Sequence, residues 1–324
     1  MRILVVGDLH LRTKTPRRRT DVNFEATCLG KLRQIVRIGN ERADAVVQVG
    51  DFFDVPDPSK GLIAGVISSG MFERKVPWFA IHGQHDLRFH SQQAAARSAL
   101  GILQAAKCLT VLDGDWLHFT SRKAGSVGSA VIYSAPFGRE APRPEPDPEG
   151  TRPDNVHNDG YFKLLVAHAM VGDKPLWPGH DLTGPEDYVR KNPGFDLYCL
   201  GDYHYPYSVK VGDAWVVNAG AVLRLTADER DRKRRPKVVL FDTDAAGPED
   251  IFLDVAPEGE AFDLSAVEAD REQADRSQFG GMVEALRVSG DLGTDFKANL
   301  AAAMDAGSIP ESVRDKAWRA WGGV

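Results

Sequence analysis

The sequence predicts an α/β fold built from two packed sheets, and three observations predict it. The first half of the chain alternates short, continuous apolar runs with segments of helical spacing, a βαβαβα pattern that implies a sheet covered by helices. The second half is rich in strands, which implies a second sheet packed against the first. Clusters of Asp, His and one Gln follow the apolar runs directly, at the C-terminal ends of the strands those runs would form.

The elements follow in order. Residues 3–7 form a continuous apolar run, as expected of a strand buried on both faces. Residues 22–43 have helical spacing, with Phe24, Leu29, Leu32, Ile35 and Val36 on one side. A second buried strand is expected over 45–49, a helix over 61–74 and a third strand over 78–81. Ser91 is placed to cap a helix over 92–107, a segment rich in Ala, Leu and Gln. Further strands are expected over 110–112, 116–121, 130–135, 163–167, 197–200, 215–218 and 238–242. The Pro-, Glu- and Asp-rich stretch near 139–160 cannot build a core and is expected to be an exposed loop. Composition changes after about residue 255. Residues 1–255 are therefore expected to form one domain and residues 256–324 a small helical region, with Ser308 and Pro310 starting a last helix.

At 324 residues and 43% hydrophobic content the chain can bury a sizeable core. It holds no run near the ~20 apolar residues of a membrane span. Its first residues lead straight into a strand, without signal or transit character, so no membrane is expected and a cytoplasmic location is. Cys28, Cys108 and Cys199 are far apart and form no CxxC, which argues against a disulfide framework or a thiolate zinc site. The net charge of −6 does not favour nucleic acid, but two basic strips stand out. They are Arg12, Lys14, Arg17, Arg18 and Arg19, and Arg230, Arg232, Lys233, Arg234, Arg235 and Lys237. Both follow segments placed at the rim of the cluster described next, where either could meet phosphates.

The cluster is Asp8-Leu9-His10, Gly50-Asp51-Phe52-Phe53-Asp54, Gly83-Gln84-His85-Asp86, His168 and Gly201-Asp202-Tyr203-His204. Asp8 and His10 are two apart, which puts both side chains on one face of a strand and lets them reach one ion together at its end. Asp51 is the natural bridging carboxylate. The amide oxygen of Gln84 can coordinate a hard cation, His168 ends its own strand, and Asp202 and His204 repeat the two-apart geometry. Such a set suits two divalent ions about 3.5–4 Å apart, which neutralise phosphate oxygens and generate hydroxide from water near neutral pH. Any one of these motifs is a common chance match. Five in order, each at a strand end, point to phosphoester hydrolysis at a metal centre.

This series resembles the calcineurin-type metallophosphoesterase superfamily, whose pattern is D-x-H, G-D-x-x-D, G-N-H-D/E, H and G-H-x-H. Asp8-Leu9-His10-Leu11, Gly50–Asp54 and the turn Asn218-Ala219-Gly220-Ala221-Val222-Leu223-Arg224 look most like the SbcD-type DNA-repair nucleases. The resemblance covers roughly residues 1–245. It implies a four-layer αββα sandwich of two mixed sheets. It also implies one ion on Asp8, His10, Asp51 and His204, and another on Asp51, Gln84, His168 and Asp202. His85 would be the catalytic imidazole, Asp86 would orient it or stabilise its protonated form, and Asp54 would support the ligands; a purely structural hydrogen-bonding role is the alternative for Asp54 and Asp86. DNA, an SbcC/Rad50-type ATPase and a second copy of the chain are the implied partners. The chain departs from the pattern at Gln84, for the usual Asn, and at Asp202, for the usual His. An anionic oxygen in place of an imidazole nitrogen favours hard ions, Mn²⁺ first and Mg²⁺ second, over Zn²⁺. DNA cleavage as an exonuclease or endonuclease is thus the leading expectation. A small-molecule or nucleotide phosphodiesterase is the first alternative. A weakly active metal-binding scaffold is the second, and the retained His85 speaks against it.

Overall fold

The computed structural model describes residues 1–114, 116–123, 126–144, 161–177, 180–245 and 247–273. Met1–Ala261 forms one compact unit and Phe262–Val324 a second. The helix expected after Ser308 and most of the loop expected over 139–160 lie outside the described residues.

Twelve strands form two six-stranded mixed sheets among the described residues. They are β1 (Arg2–Val6), β2 (Ala45–Gln48), β3 (Trp78–Ala80), β4 (Thr110–Val111), β5 (Trp116–Lys123), β6 (Ser126–Ala135), β7 (Phe162–His168), β8 (Leu197–Gly201), β9 (Tyr207–Val211), β10 (Ala214–Asn218), β11 (Lys237–Asp242) and β12 (Glu249–Phe252). The first sheet has the order β12-β11-β1-β2-β3-β4, and the second β5-β6-β7-β8-β10-β9. β1 to β4 run parallel to one another, as do β6, β7, β8 and β10. Antiparallel strands complete each sheet: β11 and β12 in the first, β5 and β9 in the second.

The alternation of side chains along a strand builds the layers. Ile3 and Val5 of β1 join Ala45 and Val47 of β2 in a core between the sheets, facing Ile132, Leu164, Val166, Leu197, Cys199 and Val217. Leu4, Val6 and Val46 point the other way, into a core with Phe24, Leu32 and Ile35 of α1 (Phe24–Arg42). Two shorter helices, α2 (Lys60–Val66) and α3 (Ala99–Ala105), give Leu62, Leu100 and Leu103 to the same core. On the far face of the second sheet, Tyr133, Leu165, Tyr198 and Val216 pack with Phe195 and with Tyr188 and Val189 of α4 (Pro185–Lys191). The result is the αββα sandwich, with a thin outer helical layer over the second sheet.

Two expected helices are broken. The one over 61–74 stops at Val66 and passes into a π-turn, Ile67–Met71, because Gly70 sits at φ +91°. The Ser68 and Ser69 hydroxyls bond back to the carbonyls of Ala64 and Gly65 there, as serines do when they compete with a helix. The one over 92–107 divides at Ser98, whose hydroxyl caps α3 by accepting from Gly101 N–H at 3.2 Å, while Ser91 makes no side-chain cap. The exposed edge strand β12 and the half-buried β9 had no apolar run to announce them. All three cysteines are buried and free.

Candidate metal centre

The expected ligands stand at the C-terminal ends of five strands: Asp8 and His10 after β1, Asp51 after β2, Gln84 after β3, His168 closing β7, and Asp202 and His204 after β8. Parallel strands deliver them to one edge, where ligand sites of α/β sheets commonly form. The chain turns sharply there. His10, Asp51 and Asp202 have φ of +43°, +51° and +81°. Such backbone costs about 1–3 kcal/mol per residue and persists where the surroundings over-determine it. The surroundings here are main-chain bonds: Leu9 and His10 N–H donate to the Asp51 carbonyl at 3.1 and 2.9 Å, and Leu11 N–H to that of Phe52 at 3.0 Å. Gly83 leaves no room for a side chain, since a Cβ would lie 2.1 Å from Asp51 Oδ1. Gly83→Ala is therefore expected to push the Asp51 carboxylate aside and weaken metal binding about 10–100-fold, measurable by calorimetry.

Two groups of ligand atoms converge. Asp8, His10 and His204 form one and His10, Asp51 and His85 the other, each with its ligand atoms within 4.8 Å of one another. The Nε2 atoms of His10 and His204 face each other at 3.0 Å, and His204 Nε2 lies 3.4 Å from Asp8 Oδ2. Asp8 Oδ1 and Asp51 Oδ2 are buried and have no hydrogen-bond partner. Buried polar atoms are rarely left so. Buried carboxylate oxygens and imidazole nitrogens gathered this closely fit a divalent cation. Around the expected second position, Asp51 Oδ2 is 3.5 Å from His168 Nε2. The Gln84 amide lies between His168 and Asp202, its Oε1 2.6 Å from His168 Nε2 and its Nε2 donating to Asp202 Oδ1 at 2.8 Å.

His85 and Asp86 part company. The His85 ring is oriented by the Asp54 carbonyl, which accepts from Nδ1 at 2.9 Å, while the His85 main-chain N–H donates to Asp51 Oδ1 at 2.8 Å. Asp86, expected to orient His85, instead turns inward. Its carboxylate accepts from the main-chain N–H groups of Gly83, Phe52 and Phe53 at 3.0, 3.2 and 3.0 Å. It clasps the β2 and β3 loops together. Asp86→Ala would leave three buried N–H donors unpaired, at about 1–3 kcal/mol each, so a large fall in melting temperature is expected. Asp54 pairs with Arg12 Nη1 at 3.1 Å and has its Oδ1 3.7 Å from His10 Nδ1.

Burial is the largest influence on His10 and, with the neighbouring histidines, brings it down to about 3, so its ring is neutral and can ligate. Burial also pushes Asp8 well up and His204 down. Alone it would raise Asp51, but the charge of the His168 imidazole, 3.5 Å away, and its other histidine neighbours outweigh it and hold Asp51 at about 2. Burial likewise opposes a charged His168, but Asp51, Asp8 and Asp202 prevail and push that imidazole up to about 10. Its Nδ1 donates to the Val49 carbonyl at 2.7 Å. A cation bound through Nε2 must displace a proton. Below pH 10 metal affinity at this position is therefore expected to rise about tenfold per pH unit, with proton release. Calorimetry in buffers of different ionisation enthalpy would show it.

A cavity of about 480 Å³ opens beside these residues. His10, Asp54, Gln84, His85, Asp202 and His204 line it together with Met170, Leu176, Tyr205, Leu223 and Leu225. Arg12 is its one Lys or Arg among the described lining residues. The apolar lining residues were not legible in the sequence, because they come from separated segments. The second basic strip is largely committed within the chain. Arg232 pairs with Glu258, Lys233 with Glu229 and Lys237 with Asp250, while Arg230 and Arg235 lie over the Tyr205 and Phe252 rings. Arg234 is buried against Asp231 and the carbonyls of Ala221 and Leu223, where it pins the loop beneath Leu223. In the first strip Arg12 pairs with Asp54 and Arg19 with Asp21. Of the remaining histidines, His82 is structural: it is buried on Ser98 Oγ at 2.9 Å.

The chain belongs to the calcineurin-like phosphoesterase family, whose model matches residues 1–206; members use a dimetal centre. It is similar to the DNA double-strand break repair protein Mre11 of Methanosarcina mazei, 26% identical over 203 residues that cover 61% of this chain and 30% of that one. Mre11 of Halobacterium salinarum is 26% identical over 251 residues, 75% of this chain and 57% of that protein. The chain thus spans between about a third and somewhat over half the length of these relatives. Among solved structures, a dimetal phosphatase from Danio rerio aligns with 79% of this chain and 99% of its own, at 14% identity and a TM-score of 0.45. No helix among the described residues is long and apolar enough to cross a membrane.

Proposed function

We propose that this chain is a metal-dependent phosphodiesterase that cleaves DNA. The observation that carries the reading is the convergence of Asp8, His10, Asp51 and His204, with unpartnered buried oxygens, beside a cavity wide enough for more than a phosphate. Similarity to Mre11 supports DNA as the substrate. Asp8, His10, Asp51 and His204 would hold one divalent ion, and Asp51, Gln84 and His168, with Asp202 beside them, the other; Mn²⁺ is the leading candidate and Mg²⁺ the next. When bound, the ions neutralise phosphate oxygens and lower the pKa of water. The chain's own part is to place a proton. With Nδ1–H committed to the Asp54 carbonyl, Nε2 is the ring nitrogen that His85 offers to the cavity it lines. In the imidazolium form it can give that proton to the departing oxygen. Residues 1–255 would be the catalytic domain and 256–324 an appended helical region. An SbcC/Rad50-type ATPase and a second copy of the chain are the partners that fit the nuclease reading.

The commitment of the second basic strip to internal partners favours one other reading, a nucleotide or small-molecule phosphodiesterase, which needs no phosphate-tracking cations. Mn²⁺-dependent cutting of linear duplex DNA that EDTA abolishes would support the nuclease. Hydrolysis of a chromogenic phosphodiester without cleavage of any DNA would support the alternative.

A further inference from the structure

We propose that Gln84 and Asp202 work as one unit, in which the Asp202 carboxylate is a positioning group that aims the Gln84 amide oxygen at the second cation rather than a ligand to that cation. The inference rests on the two-cation reading above.

An amide is ambiguous as a ligand, because only its oxygen can coordinate and a rotation of the terminal group presents the nitrogen instead. Here the ambiguity is removed from one side. Asp202 Oδ1 accepts from Gln84 Nε2 at 2.8 Å, and a carboxylate can only accept. The amide oxygen is thereby turned away from Asp202 and toward His168 Nε2, 2.6 Å away, which itself lies 3.5 Å from Asp51 Oδ2. Asp202 is fixed in its turn by its main chain, which sits at φ +81° and donates N–H to Asp8 Oδ2 at 3.0 Å.

The two departures from the family pattern also need each other. Asparagine at 84 is shorter by one methylene, about 1.5 Å of reach, and could not touch both His168 and Asp202. Histidine at 202 would remove the anionic acceptor that orients the longer amide. Each change alone is a defect, and the pair restores an aimed oxygen.

The test is calorimetric titration of Mn²⁺ into the metal-stripped full chain, for wild type, Gln84→Asn, Asp202→His, the double variant and Asp202→Asn. Each of the first two single changes should weaken the second Mn²⁺ event about 10–100-fold. The double variant should recover to within about tenfold of wild type, a non-additivity expected of residues in contact. Asp202→Asn keeps an acceptor oxygen for the amide and should lose less than about tenfold, whereas a direct anionic ligand would lose far more. Additive losses in the double variant, or a second event abolished by Asp202→Asn, would overturn the proposal. The first Mn²⁺ event and the melting temperature of the metal-free protein report that each variant is folded. If wild type itself takes up only one Mn²⁺, the two-cation reading fails and the pair is a structural hydrogen bond.

Discussion

Asp51→Asn is expected to remove activity and metal binding together, at least about a thousandfold in turnover. Asp51 is fully buried and lies against both His10 and His168. Its Oδ2 has no hydrogen-bond partner and lies 3.7 Å from His10 Nε2 and 3.5 Å from His168 Nε2, while Oδ1 accepts from His85 N–H. Its Oδ2 thus lies between His10 of one ligand set and His168 of the other. The amide is isosteric but carries no charge, and it offers one oxygen where two are needed. Metal-assisted charge stabilisation contributes several kcal/mol, and each 1.36 kcal/mol is a factor of ten in rate. Mn²⁺ calorimetry and phosphodiester turnover should fail in parallel, with the circular dichroism spectrum unchanged. A variant that loses turnover but keeps two Mn²⁺ would show that Asp51 is not the bridge.

His85→Ala is expected to separate the two properties. The ring lines the cavity and is held by a carbonyl rather than by a carboxylate. Its removal should lower kcat by about 10²–10⁴, the usual contribution of a positioned general acid or base. The Mn²⁺ stoichiometry should stay as in wild type. A substrate with a good leaving group, such as a nitrophenyl phosphodiester, should suffer less than DNA, because its departing oxygen needs no proton. Equal losses on both substrates would argue against proton donation by His85. Loss of a Mn²⁺ would make the ring a ligand, a role its closeness to His10 and Asp51 makes worth testing.

The residues of the candidate site were legible in the sequence because strand ends are. A short run such as residues 3–7 can be buried on both faces only as a strand within the sandwich, so whatever follows it arrives at the sheet edge. Asp8, Asp51, Gln84, His168 and Asp202 all carry that signal. The helices were less legible. Ser69-Gly70 and Ser98 break patterns whose apolar spacing continues through them, and local hydrogen bonds overrule periodicity there. Charge was least legible. A run of six cations between Arg230 and Lys237 looks like a phosphate-binding strip, yet Glu258, Asp250 and Phe252, which engage Arg232, Lys237 and Arg235, lie well away in sequence, while Glu229 and Asp231 are its local partners.

By itself, then, the sequence determined the class of chemistry, the sandwich and the candidate ligands, since these follow from residue type and from position along single strands. Only the tertiary structure decided what each side chain does. It turned Asp86 from a partner of His85 into a clasp on main-chain N–H groups, gave the His85 ring to the Asp54 carbonyl, and set Gln84 against Asp202 across 118 residues of chain. Those assignments depend on distances of about 3 Å between segments remote in sequence, and no local pattern encodes them.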